Sequence, residues 1–100
     1  MRLTPEQIDT IQSTVLQTLG EGAVVSIFGS RLDDSRRGGD VDLLIEAEQE
    51  PGLLQRASIK TRLENRLQLP VDVVTASFDQ PSPFARMAKA QAVPLKGIAA

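Results

Sequence analysis

Histidine, cysteine, tyrosine and tryptophan are all missing from this sequence. Their absence excludes Ser/His/Asp and Cys/His nucleophilic catalysis, thiolate or imidazole zinc sites, and disulfides. If the chain is an enzyme, its chemistry falls to carboxylates, hydroxyls, guanidinium or ammonium groups and a hard, oxygen-preferring metal. There is no run of 18 apolar residues, so no helix that spans a membrane is expected. The start, Met1-Arg2-Leu3-Thr4-Pro5, lacks an apolar signal region, which predicts a cytoplasmic location. Aromatics number three, Phe28, Phe78 and Phe84, and the net charge is −2, so general nucleic-acid binding is disfavoured on both counts. What is present is 100 residues, 41% apolar and 24% charged, which reads as one globular domain over residues 1–100 with a single core.

Hydrophobic spacing gives the elements. Thr4 as N-cap, Pro5 at the first helical position and Gln7 as the capping-box partner start a helix. Ile8, Ile11, Val15, Leu16 and Leu19 carry that helix to Gly20. Ala23 to Phe28 has the length and β-branched content of a strand, and Gly29-Ser30 ends it. Asp40 to Glu46 is a second strand, apolar on both faces inside and polar only at its two ends, the pattern of a central strand. Leu53 to Leu69 reads as a helix with Leu53, Ala57, Ile59, Leu63 and Leu67 on one broad side, into which Arg56 and Lys60 intrude. Pro70 stops it, Val71 to Thr75 is a third strand, and Phe84 to Gln91 a third helix. Ala92 to Leu95 is at most a brief edge segment, because Pro94 cannot donate to a ladder. The order of elements predicts an α/β (α+β) sandwich, a small mixed sheet flanked by helices.

Four features could carry chemistry. Asp40-Val41-Asp42 places two carboxylates on one face of a strand, about 7 Å apart along the chain, with Val41 and Leu43 on the other. Such a pair repels unless a cation lies between the carboxylates, and Mg²⁺ suits an all-oxygen donor set. The plain alternative is a turn residue followed by a solvated strand end. Gly29-Ser30, at the end of a strand, could gather backbone N–H groups and a hydroxyl around a phosphate, or be a simple turn. Neither a Walker loop nor a dinucleotide glycine motif is present. Asp72 sits within Val71-Asp72-Val73-Val74, where a charged side chain needs either a partner or an exposed face on an edge strand. Arg31, Arg36 and Arg37 could grip a triphosphate as forked donors, or pair on the surface with Asp33 and Asp34.

Taken together, Phe28-Gly29-Ser30, nine intervening residues, Asp40-Val41-Asp42-Leu43 and a later Val71-Asp72-Val73 resemble the signature of the DNA polymerase beta-like nucleotidyltransferase superfamily. The resemblance spans essentially the whole chain and points to minimal nucleotidyltransferases, the antitoxins paired with HEPN-type toxins. It implies that Gly29, Ser30 and Arg31 hold the triphosphate of ATP, and that Asp40, Asp42 and Asp72 are catalytic and bind two Mg²⁺ ions. It also implies transfer of AMP to a hydroxyl of a HEPN-type partner, with Asp72 as general base or ligand of the activating ion. The chain departs from many relatives after Gly-Ser, where Arg31-Leu32-Asp33-Asp34 stands in place of Ala-Arg-Gly. A second reading, from a different class, is a catalytically inactive module of the same fold that neutralises its partner by binding alone; the complete carboxylate triad favours the enzyme. Homo- or hetero-oligomerisation is left open by the sequence.

Overall fold

The computed structural model describes residues 3–28 and 41–95. Within them lie helix α1 (Pro5–Leu19), strands β1 (Val24–Phe28) and β2 (Val41–Ala47), helix α2 (Leu53–Leu67), strand β3 (Val71–Ser77), helix α3 (Pro83–Gln91) and strand β4 (Val93–Pro94). The four strands form one mixed sheet in the order β3-β2-β1-β4. Strand β1 runs antiparallel to both β2 and β4, and β2 runs parallel to β3. The predicted class, a small mixed sheet flanked by helices, is therefore the observed one.

Local chemistry explains where the elements begin. The Thr4 hydroxyl accepts the Gln7 amide at 3.1 Å while the Gln7 side chain accepts the Thr4 amide at 2.8 Å, the capping box expected from the sequence. Gly20 then ends α1 at φ 78°, a backbone state that glycine reaches without the Cβ clash other residues meet. Ser82 caps α3 by accepting the Ala85 amide at 3.1 Å.

Alternation along the strands divides the side chains between two faces. Val41, Leu43 and Ile45 of β2, Ile27 of β1 and Val71 of β3 join Ile8, Ile11 and Val15 of α1 and Ile59 and Leu63 of α2 in the main core. Each such side chain contributes about 1.5 to 3 kcal/mol on burial. On the opposite face α3 sets Ala85 against Leu44 and Ala76, with Phe28 and Val74 packed beside them. The chain thus forms three layers: two helices, the sheet, and one short helix. Helices α1 and α2 are also joined by a polar contact, in which Arg66 Nη1 donates to the fully buried Thr14 hydroxyl at 2.8 Å.

One sequence expectation needs correction, and one about the sheet edge holds. Leu53 is 69% exposed, and Ala57 is exposed as well, so the packed side of α2 is Ile59, Leu63 and Leu67 alone. Neither side chain joins a packed cluster, and the buried stretch of α2 begins at Ile59. The Ala92 to Leu95 segment does pair with β1, over Val93 and Pro94 only.

Candidate functional site

Asp42 and Asp72 are cross-strand partners in the parallel pairing of β2 with β3. Both lie on the face that carries α3, since Val41, Leu43 and Val71 beside them point into the opposite core. Neighbouring strands are about 4.8 Å apart, so the two carboxylates stand side by side. Phe28 of β1 pairs with Asp42, and the row across the sheet reads Phe28, Asp42, Asp72. The next rows, Ser26-Leu44-Val74 and Val24-Glu46-Ala76, are where α3 rests. The carboxylate row is therefore at the margin of the helix's cover. Asp42 is half-buried, and the Asp72 side chain is 59% exposed on the edge strand.

Electrostatics at this row involve helix α2. Lys60 Nζ lies 3.9 Å from Asp72 Oδ1, donates to the Val71 carbonyl at 2.6 Å and pairs with Glu64 Oε2 at 3.2 Å. The same Glu64 oxygen accepts the Val71 amide at 3.0 Å. These contacts, the backbone N–H of Val71 first and the Lys60 ammonium second, hold the Glu64 carboxyl below its usual range. Of the two readings of Asp72, the exposed face on an edge strand is the one observed, with Lys60 3.9 Å away.

Of the other residues singled out in the sequence, Gly29, Ser30, Arg31, Arg36, Arg37 and Asp40 lie outside the described residues. The segment 29–40 joins Phe28 to Val41, one residue before Asp42, so it leaves from and returns to the carboxylate row. Among the described residues no group of three potential metal-ligating side chains occurs. Asp42 and Asp72 nevertheless fit a hard divalent cation: both are oxygen donors, on one face, in one row, with solvent access.

Sequence reasoning missed three polar residues. Glu46, read as the polar end of a strand, has a carboxylate only 6% exposed and meets Lys89 Nζ at 3.1 Å. Lys60, read as an intrusion into an apolar side, reaches the sheet edge, and Glu64 was passed over. Their spacing of four on a helix was visible, but the strand they address was not.

Comparison with known proteins agrees with this architecture. The family model described as polymerase beta, nucleotidyltransferase, matches residues 10–97. A solved candidate minimal nucleotidyltransferase is 30% identical, with 89% of each chain covered and a TM-score of 0.66. A tri-AMPylated HEPN toxin of Shewanella oneidensis in complex with its MNT antitoxin contains a chain 17% identical, with 93% of this chain and 71% of that chain covered and a TM-score of 0.71. A toxin-antitoxin complex with AMP-PNP gives 19% identity over 88% of this chain and 71% of that chain, at a TM-score of 0.73. A search of curated proteins found no match. With the family model spanning nearly all of the chain, and a mixed sheet that presents two in-register carboxylates beside the β1 terminus, the protein belongs to the polymerase beta nucleotidyltransferase family.

Proposed function

We propose that this chain is a Mg²⁺-dependent nucleotidyltransferase that moves AMP from ATP to a hydroxyl of a HEPN-type partner protein and so acts as an antitoxin in the cytoplasm. The observation that carries this reading is the pairing of Asp42 with Asp72 in one row, at the margin of the cover that α3 gives. Membership of the family supports nucleotidyl transfer, and the AMPylated toxin and AMP-PNP complexes among its structural neighbours support the nucleotide and the partner. Residues 1–100 act as one domain.

Asp40, Asp42 and Asp72 would hold the divalent ions, which when bound supply charge neutralisation at the triphosphate and a more acidic acceptor hydroxyl. Gly29, Ser30 and Arg31, which follow Phe28 directly, bind the triphosphate. The acceptor oxygen forms a bond to the α-phosphorus, the bond from that phosphorus to the bridging oxygen breaks, and pyrophosphate leaves. Asp72, on the edge strand and the more exposed of the two described carboxylates, takes the hydroxyl proton. Asp42, on the central strand, fixes the nucleotide side. The absence of tyrosine leaves the chain itself without a tyrosine acceptor.

The test is incubation of the full chain with ATP labelled at the α-phosphate, with and without a HEPN-type partner and with EDTA as control. Label on the partner, lost with EDTA and in Asp42→Asn, is the expected result. A partner neutralised with no label on it would overturn the enzymatic reading in favour of inhibition by contact alone.

A further inference from the structure

The edge of the sheet at β3 begins with a residue, Val71, whose backbone N–H and C=O are both claimed by side chains of α2. The Val71 amide donates to Glu64 and the Val71 carbonyl accepts from Lys60, while Lys60 and Glu64 pair with each other. Immediately before it, the Pro70 carbonyl accepts the Val41 amide at 2.9 Å, which ties the same point to the central strand. The first residue of β3 is therefore fixed from both sides. Asp72 is the next residue, and its own side chain lies within 3.9 Å of Lys60.

This arrangement exceeds what a structural edge needs. A lone ion pair of this exposure contributes little to stability. Here the pair is joined by two hydrogen bonds to the backbone of one residue, in a closed cycle, which converts a loose surface contact into a geometric constraint. The cycle also shields the first outward-facing peptide of an edge strand from pairing with another chain. Its position, one residue from Asp72 and 11 residues along the chain from Lys60, makes α2 the element that sets where the edge carboxylate stands.

We propose that Lys60 and Glu64 are positioning residues for Asp72. They hold the start of β3 in the register that sets Asp72 beside Asp42. The inference rests on the reading of Asp72 as a site residue, and its test separates the two. Four variants are compared in the full chain: Lys60→Met, Lys60→Arg, Glu64→Ala, and Arg66→Met as a control that removes a tertiary hydrogen bond of α2 made to α1 rather than to β3. Three quantities are measured: hydrogen exchange at the Val71 and Asp72 amides, affinity for Mn²⁺ alone by calorimetry, and kcat and KM for transfer from ATP.

Lys60→Met and Glu64→Ala should lose about tenfold in protection at Val71 and Asp72, as expected for one net hydrogen bond. Glu64→Ala should also bind Mn²⁺ at least about threefold more weakly, and both should lose about tenfold in kcat with KM for ATP within about twofold, since Asp72 serves the acceptor and not the triphosphate. Lys60→Arg should recover most of each loss, and Arg66→Met should lower the melting temperature without moving the Mn²⁺ affinity or kcat. Wild-type protection and kcat in Lys60→Met would overturn the proposal, as would equal losses in Arg66→Met, which would mark a general effect of stability. Should Glu64→Ala fail to fold, Lys60→Met decides, because its apolar stem remains. A wild-type chain that neither binds Mn²⁺ nor transfers AMP would overturn the proposed function instead, while the exchange data would still decide the brace.

Discussion

Replacing Lys89 by Met leaves Glu46 with a buried charge and no cation, and the cost can be worked from the geometry. The Glu46 carboxylate is 6% exposed and the ammonium lies 3.1 Å from it, whereas Lys89 is 59% exposed. At that separation the attraction is about 1.3 kcal/mol if water screens it fully and about 5 kcal/mol at an effective dielectric constant of 20. The exposed ammonium favours the lower half of that interval, and ordering a lysine side chain costs about 1 to 2 kcal/mol. We expect Lys89→Met to destabilise the fold by about 1 kcal/mol, below the 3 to 5 kcal/mol of a fully buried pair. For a domain of this size that corresponds to a fall in melting temperature of about 4 to 8 °C. Glu46→Gln removes the charge at its source, so the double variant Glu46→Gln/Lys89→Met should recover to within about 0.5 kcal/mol of wild type. Thermal and urea unfolding at pH 7 measure all three, at low and high salt. A Lys89→Met chain that melts within about 2 °C of wild type would refute the reasoning, and so would a double variant no more stable than the single.

Asp72→Asn should leave the affinity for Mg²⁺-ATP within about threefold of wild type and lower single-turnover transfer by about 10² to 10⁴, the contribution of a positioned base; Asp42→Asn should lower both. The Glu64 carboxyl is held below its ordinary value of 4.5, so its contribution to stability is complete above that value and is lost as pH falls through the lower folded-state value. Glu64→Gln should accordingly flatten the acid limb of stability against pH, measured by urea midpoints between pH 6 and pH 3 as an approximate working range. Ile11, fully buried between α1 and the sheet, should cost about 2 to 5 kcal/mol when changed to Ala, with the slope of urea unfolding unchanged.

The parts of this molecule that were legible in its sequence are those fixed by near neighbours. Thr4 and Gln7 lie three residues apart, so their capping box could be read directly. The apolar interior of β2 announced a strand covered on both faces, and it does lie between β1 and β3. Period two along β2 gave the separation of Asp42 from Val41 and Leu43. The motif shared with the nucleotidyltransferase superfamily named the fold, and the family model agrees. What could not be read depends on contacts between distant segments. Lys60 looked like a polar error on an apolar side until β3 was seen to supply a carbonyl at its tip. Glu46 looked like a solvated strand end because nothing local says that α3 will lie over it. Leu53 and Ala57 fitted the helical period, yet a period describes a direction and not how far the packing partner reaches.

The pairing of Asp42 with Asp72 also has a history in time. Strands β2 and β3 are parallel, and the chain between them must travel back through α2 before they can meet. Contacts of that separation form late, because loop closure precedes any reward from the ladder. During synthesis Asp42 is therefore made, and its strand can pair with β1, well before Asp72 arrives. Until then the β2 edge is bare, apolar and adhesive, a hazard for association between nascent chains. Completion of the carboxylate row and protection of that edge are one event, so a chain able to assemble its site is also one that has passed its most aggregation-prone stage.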